Sequence, residues 1–210
     1  MLRRLPVYLL VDTSSSMKGE PIESVKVGIE SMIATLSQDP YALERVNISI
    51  ITYDREVKVL LPLTPLKDLQ LPNIITPDSG PTHTGAALEM LLEIVNQEVN
   101  RGCPEHAGDY RPFLFLMTDG KLSDTQLFNS VVYRVKSKFA TIVCFTSGTK
   151  VKIDCLELLS DKVYPIDNLD SVNFKKLFTW PSGFPGEYGI NHSLCELILP
   201  PPLEEMDIII

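Results

Sequence analysis

Asp12-Thr13-Ser14-Ser15-Ser16 follows directly on the apolar run Val7-Tyr8-Leu9-Leu10-Val11, so a carboxylate and alternating hydroxyls fall where a buried strand gives way to its loop. Oxygen donors at this density suit a hard cation. Mg²⁺ takes oxygen ligands at about 2.0–2.1 Å in near-octahedral order and keeps several of its waters, so it needs few protein groups. Ser14 and Ser16, two apart in an extended turn, face one point while Thr13 and Ser15 face away, and Asp12 balances charge through the ion or its waters. A second carboxylate, Asp119, follows the apolar run Phe113-Leu114-Phe115-Leu116-Met117, and Thr82 stands in a turn ahead of a helical pattern. Taken alone, Ser14, Ser15 and Ser16 are turn or capping groups, and Asp119-Gly120 is an ordinary turn. Their common register with Thr82 is what favours a site.

These groups need a sheet to hold them. Residues 4–11 read as a central strand covered on both faces, being short and continuously apolar. After Gly19, Glu20-Pro21 opens a helix with Ile22, Val25, Ile29, Met32, Ile33 and Leu36 at helical spacing, until Asp39-Pro40 ends it. Residues 45–53 and 56–61, joined by a tight Asp54-Arg55 link, predict an antiparallel hairpin at one sheet edge. Five prolines and little periodicity make residues 62–81 a loop-rich crossover. Ala87, Leu88, Leu91, Leu92, Val95 and Val99 then predict a helix over 84–99, and residues 112–117 repeat the pattern of the first strand. A helix over 125–138, a strand over 140–145, a short helix over 152–159, a strand over 162–166 and a last helix over 171–179 follow. The alternation predicts an α/β fold: a doubly wound, mainly parallel six-stranded sheet with one antiparallel edge strand and helices on both faces. Such sheets bind ligands beyond the carboxyl ends of strands, at the switch point of the strand order, where Asp12 and Asp119 are placed.

The length of 210 residues suits one domain with a tail, read as a domain over 4–180 and an extension over 181–210 that packs on it or on a neighbouring molecule. With 44% apolar and 22% charged residues, the composition is that of a globular protein. A net charge of −8 argues against nucleic acid, whose binders need a clustered basic face. No apolar stretch has the length of a membrane span, and the short run after Met1-Leu2-Arg3-Arg4 ends at Asp12 without a cleavage signature, which predicts a cytoplasmic protein. Cys103, Cys144, Cys155 and Cys195 are scattered without a CxxC pair and read as reduced thiols.

Asp12-x-Ser14-x-Ser16, then Thr82, then Asp119, in this order along strands alternating with helices, resembles the metal-ion-dependent adhesion site of von Willebrand factor A domains. The resemblance covers residues 4–180. Within that family, the stretch from Arg4 to Ser14, Met17, Gly19-Glu20-Pro21-Ile22-Glu23, Gln38-Asp39-Pro40-Tyr41-Ala42-Leu43-Glu44 and Phe115-Leu116-Met117-Thr118-Asp119-Gly120 are similar to the bacterial tellurium-resistance members. The resemblance implies that Ser14 and Ser16 ligate the metal directly, Thr82 directly or through water, and Asp12 and Asp119 mostly through waters and hydrogen bonds. Asp124 is a weaker candidate in the same loop. The chain departs from the pattern at Ser15 and Pro81, where the family often has glycine; Pro81 removes a backbone donor beside Thr82. The implied metal is Mg²⁺, with Mn²⁺ or Ca²⁺ as substitutes.

Neutral ligands leave such a dication net positive, with a water that a partner's Asp or Glu can replace. The resemblance therefore implies a non-enzymatic, Mg²⁺-dependent protein-interaction module of the stress-response type. Its implied partners include an associated protein kinase or a metal-dependent serine/threonine phosphatase. Lys18, His83, Lys121 and Leu122 form the rim that selects among partners. Glu204 or Asp207 of the extension offers an acid for self-association, and related domains couple capture to movement of the last helix, here 171–179. The rival reading is a metal-assisted hydrolase or phosphatase using Asp12 or Asp119. No GxSxG elbow supports a catalytic serine, no GxxxxGK[ST] loop is present, and a haloacid-dehalogenase-like site wants a carboxylate where Ser14 stands. Cys103-Pro104-Glu105-His106 is only a faint zinc signal and reads as a loop.

Overall fold

A computed structural model describes residues 3–166, apart from 77–79, 104–106, 120, 148–152 and 161. In chain order the elements are β1 (Leu5–Asp12), α1 (Glu20–Leu36), α2 (Pro40–Arg45), β2 (Val46–Tyr53), β3 (Val57–Pro65), α3 (Thr84–Glu98), β4 (Phe113–Thr118), α4 (Thr125–Lys138), β5 (Thr141–Thr146), α5 (Ile153–Leu159) and β6 (Val163–Pro165). The six strands form one sheet in the order β3-β2-β1-β4-β5-β6, parallel except for β3, which runs antiparallel on β2 at the edge. The predicted fold class is the one observed.

β1 explains why a continuous apolar run makes a central strand. Its odd residues Leu5, Val7, Leu9 and Val11 pack with Ile22, Val25, Ile29 and Met32 of α1. The even residues Tyr8 and Leu10 pack with Leu88, Leu91 and Leu92 of α3 and Phe128, Val131 and Val132 of α4. With period-two alternation and helices on both sides, neither face is left for polar residues. Each such aliphatic side chain contributes about 1.5–3 kcal/mol on full burial, so the strand that ends in Asp12 is among the best-anchored segments. Because β1 is followed by β2 on one side and paired with β4 on the other, the strand order reverses direction between β1 and β4. Asp12 and Thr118 close these two strands at that switch point.

Two local features differ from the sequence reading. Asp39-Pro40 ends α1 as expected, but it also starts α2: the Asp39 side chain accepts from Tyr41 N–H at 2.9 Å, and proline at the first helical position gives up no needed donor. β3 runs through Pro62 to Pro65, into the segment read as loop. Prolines are tolerated there because an edge strand leaves one side of its backbone without a ladder partner. A 3-10 turn over Leu66–Asp68 follows. The predicted helix over 171–179, the extension over 181–210 and most of the faint zinc motif lie outside the described residues. No helix among the described residues is long and apolar enough to cross a membrane.

Candidate metal centre

The loop after β1 is held at both ends. Thr13 N–H and Thr13 Oγ1 both donate to the Tyr53 carbonyl, at 2.8 and 3.2 Å, which ties the loop to the end of β2. Met17, fully buried, pins the other end of a 3-10 turn over Ser15–Met17. Gly19 then takes φ +90°, a left-handed value that lets the chain reverse into α1. The loop is thus a short 3-10 turn rather than the extended turn expected, yet the Ser14 and Ser16 hydroxyls still meet, 3.2 Å apart. Ser14 sits at the N-cap position of the 3-10 turn but its side chain makes no capping bond. The capping role that three serines suggest is therefore not filled by Ser14.

Asp12 is fully buried beside these hydroxyls. Its Oδ1 accepts from Ser14 N–H at 2.8 Å and its Oδ2 from Thr118 Oγ1 at 2.7 Å. Burial pushes its pKa up to about 6; the Thr118 and Ser14 hydrogen bonds work against this, and the Asp119 charge adds to it. That influence of Asp119 on Asp12 places the two carboxylates in one electrostatic site. Asp119 is 5% exposed; its Oδ1 accepts from Lys121 N–H at 3.2 Å, so the ordinary turn is also present. Its Oδ2 is buried and accepts no hydrogen bond, while the exposed Lys121 ammonium lies 3.1 Å away in ion-pair range only. A tethered cation thus stands beside the least satisfied oxygen of the site.

Thr82 is buried and fastened to the loop that carries Asp119: its N–H donates to Ser123 Oγ at 3.2 Å, and its carbonyl accepts from Ser123 N–H at 2.9 Å. Pro81 therefore does not prevent an ordered Thr82 backbone. Next to it, His83 N–H donates to the Asp54 carbonyl at 3.1 Å, which joins this turn to the β2–β3 link. Asp124 is the sequence candidate that the structure assigns elsewhere. Its two oxygens accept from Gly85 N–H at 3.0 Å and Ala86 N–H at 2.9 Å, satisfying the first turn of α3 from the start of α4. Sequence reasoning missed Thr118, Ser123 and Tyr53 as supports; only the position of Thr118, one residue before Asp119, hinted at its part.

Among the described residues no three His, Cys, Asp or Glu side chains gather as a metal cluster. The donors here are instead two paired hydroxyls and two buried carboxylates, one with an unsatisfied oxygen. This oxygen-only set fits a hard dication. The family model for the von Willebrand factor type A domain matches residues 7–177. The chain belongs to the von Willebrand factor type A domain family. Solved structures with the same fold include proximal thread matrix protein 1 from the mussel byssus, at 16% identity and TM-score 0.59 over 82% of this chain and 46% of that one. A von Willebrand factor type A protein from Catenulispora acidiphila aligns at 15% identity and TM-score 0.61, over 83% of this chain and 42% of that one. The ArnB paralog VWA2 from Sulfolobus acidocaldarius aligns at 17% identity and TM-score 0.60, over 83% and 45%. In sequence, the mouse collagen alpha-5(VI) chain is 26% identical over 125 residues, which is 58% of this chain and 4% of that protein. The chain thus spans less than half of each of these relatives. Von Willebrand factor type A domains are generally protein-interaction modules, and they commonly bind a divalent metal at their adhesion site.

The raised Asp12 pKa predicts a pH dependence. Its folded pKa of about 6 lies above the ordinary 3.8, so the native state holds the proton more tightly than the unfolded chain. The Asp12 contribution therefore lowers the stability of the metal-free protein as pH rises from about 4 to about 6, by roughly 2–3 kcal/mol for a shift of this size. A dication requires the ionised carboxylate, so its affinity is expected to fall about tenfold per pH unit below pH 6. Calorimetric titration with Mg²⁺ between pH 5 and 8 measures this; a flat profile contradicts it.

Proposed function

We propose that this von Willebrand factor type A domain is a Mg²⁺-dependent interaction module that grips an Asp or Glu side chain of a protein partner. The observation that carries the reading is the meeting of the Ser14 and Ser16 hydroxyls, Ser14 making no capping bond, beside buried Asp12 and Asp119, whose Oδ2 accepts no hydrogen bond and has the Lys121 ammonium in ion-pair range. Ser14, Ser16 and Thr82 would hold the metal, with Asp12 and Asp119 acting mainly through its waters. When bound, the dication supplies a positive coordination position for an incoming carboxylate. The chain's own residues do the rest: Thr13, Met17 and Ser123 fix the loops, and Lys121 balances Asp119 in the metal-free protein.

One carboxylate contact does not make a specific complex, because association first costs several kcal/mol of lost freedom. Lys18, His83, Lys121 and Leu122 supply the surrounding selectivity. The net charge of −8 opposes an acidic partner at long range, but screening limits that repulsion to roughly 8 Å at physiological salt. The sequence likeness to TerY of the tellurium-resistance system supports a cytoplasmic, stress-response setting, with an associated kinase or metal-dependent serine/threonine phosphatase among the partners. Thiols at Cys144 and Cys155 agree with a reducing compartment. The unit that acts is taken as 4–180, with 181–210 as an extension able to offer an acid to a second copy.

The hydrolase alternative needs a base that reaches substrate. Asp12 has the raised pKa for that work but is fully buried, with both oxygens already accepting hydrogen bonds. The geometry therefore favours binding over turnover. Pull-downs from stressed and unstressed lysate with Mg²⁺, against the same with EDTA, test the reading. Partners recovered with Mg²⁺ are expected to be lost with EDTA and with Asp119→Ala. Equal recovery under all conditions contradicts the proposal, and metal-dependent phosphatase turnover that vanishes in Asp12→Ala favours the enzyme.

A further inference from the structure

Lys121 meets Asp119 with both its backbone and its side chain. Its N–H donates to Asp119 Oδ1 at 3.2 Å, and its ammonium stands 3.1 Å from Oδ2. The first contact belongs to the turn after β4 and fixes where the side chain starts. The second is a charge contact alone, since Oδ2 is buried and accepts no hydrogen bond. The two partners sit in unlike surroundings: the Asp119 side chain is 5% exposed and that of Lys121 73%. A pair exposed on both sides contributes little. Here the carboxylate is withdrawn from water and depends on a cation reaching it, while the lysine keeps its stem in solvent and is free to leave.

The other carboxylate of the site has no such opening. Asp12 is fully buried, and its two oxygens accept from Ser14 N–H and Thr118 Oγ1. Asp119 Oδ2 is therefore the carboxylate oxygen still open to a cation, and the chain itself supplies one. A dication held by the Ser14 and Ser16 hydroxyls needs that negative charge, whether it meets Oδ2 directly or through a water. Ammonium and ion are then like charges drawn to one oxygen, and they repel each other.

We propose that Lys121 is a tethered competitor of the metal ion, which neutralises Asp119 in the metal-free protein and is displaced when the ion binds. This rests on the metal reading above. The contact sets the metal affinity below what the oxygen donors alone would give. Once displaced, the ammonium rejoins the rim, where a partner's Asp or Glu is the acid it meets, so metal entry also frees a cation for the partner.

The test is calorimetric titration with MgCl₂ at one ionic strength, together with thermal unfolding in EDTA, on the whole chain and three variants. Lys121→Met, which keeps the stem and removes the charge, is expected to bind Mg²⁺ about fivefold more tightly, the upper end for an ion pair with one exposed partner. It is expected to lower Tm in EDTA, so the two effects have opposite signs. Lys121→Arg keeps a cation in reach and is expected to bind no more tightly than wild type. Lys58→Met is the control: it takes the same charge from an exposed pair with Glu56, 3.3 Å long, at the start of β3. Screening should hold its Kd within about twofold of wild type. A Lys121→Met Kd equal to or above that of wild type overturns the inference and leaves Lys121 a rim residue only. Equal tightening by Lys58→Met overturns it too, because the effect is then one of overall charge. Uptake by Lys121→Met but not by wild type supports it in its strongest form. No uptake by either protein overturns the metal reading itself, a result distinct from a wild-type site that binds Mg²⁺ and is indifferent to Lys121.

Discussion

Replacing Ser14 and Ser16 together by alanine is expected to lower Mg²⁺ affinity by at least about a hundredfold, since even groups that only support metal ligands are worth roughly 10- to 100-fold. The fold should survive the change. The two hydroxyls face each other at 3.2 Å, and Ser14 makes no cap bond with the turn that follows. Removing both partners of one hydrogen bond is nearly neutral, whereas removing one strands the other. The anchors of the loop, Thr13 on the Tyr53 carbonyl and buried Met17, are untouched. Calorimetry with Mg²⁺ and Mn²⁺ reads the first effect, and thermal unfolding in EDTA reads the second. Undiminished metal uptake by a folded double variant would sink the assignment of these hydroxyls as ligands.

Gly85→Ala is expected to destabilise the protein by about 2–3 kcal/mol, a result opposite in sign to the usual helix rule. Alanine in a helix interior gains about 1 kcal/mol over glycine. Here a Cβ on Gly85 would lie 2.5 Å from the Phe128 backbone nitrogen, 2.9 Å from Asp124 Oδ2 and 3.0 Å from the Leu127 carbonyl carbon. The two backbone atoms belong to α4 and cannot swing aside, so α3 and α4 must part. Overpacking of this kind costs typically about 1–3 kcal/mol, and parting the helices also breaks the Asp124 bonds to Gly85 and Ala86, worth about another 1 kcal/mol as a cap. The losses exceed the propensity gain. Urea unfolding measures the difference. Asp124→Ala should show the cap contribution alone, and a Gly85→Ala protein as stable as wild type would mean that the close approach is not held in solution.

Asp124 also shows where sequence reasoning stopped. It lies near Asp119 in the chain and is acidic, so proximity alone made it a metal candidate. The helix–helix approach at Gly85 gave it a different task, and that approach depends on two helices separated by β4. Lys121, read as a rim residue, is exposed and also stands in ion-pair range of Asp119, a pairing the sequence did not show. By contrast, all six strands were legible because each is a short apolar run closed by turn residues. The β2–β3 hairpin was legible because its link is only a few residues long.

What the amino-acid order determined by itself was the set of oxygen donors and their place at strand ends, because apolar periodicity and turn chemistry act over a few neighbouring residues. Asp12, Ser14, Ser16 and Asp119 are placed there on that ground, while Thr82 stands in a turn and its part in the set is what the family resemblance implies. What only the tertiary structure decided was which groups stand behind them: Thr118 on Asp12 and Ser123 on Thr82. Those bonds join residues brought together by strand pairing and helix packing. Periodicity tells a side chain which face it occupies, but a hydrogen bond a few ångströms long depends on which distant segment is packed opposite.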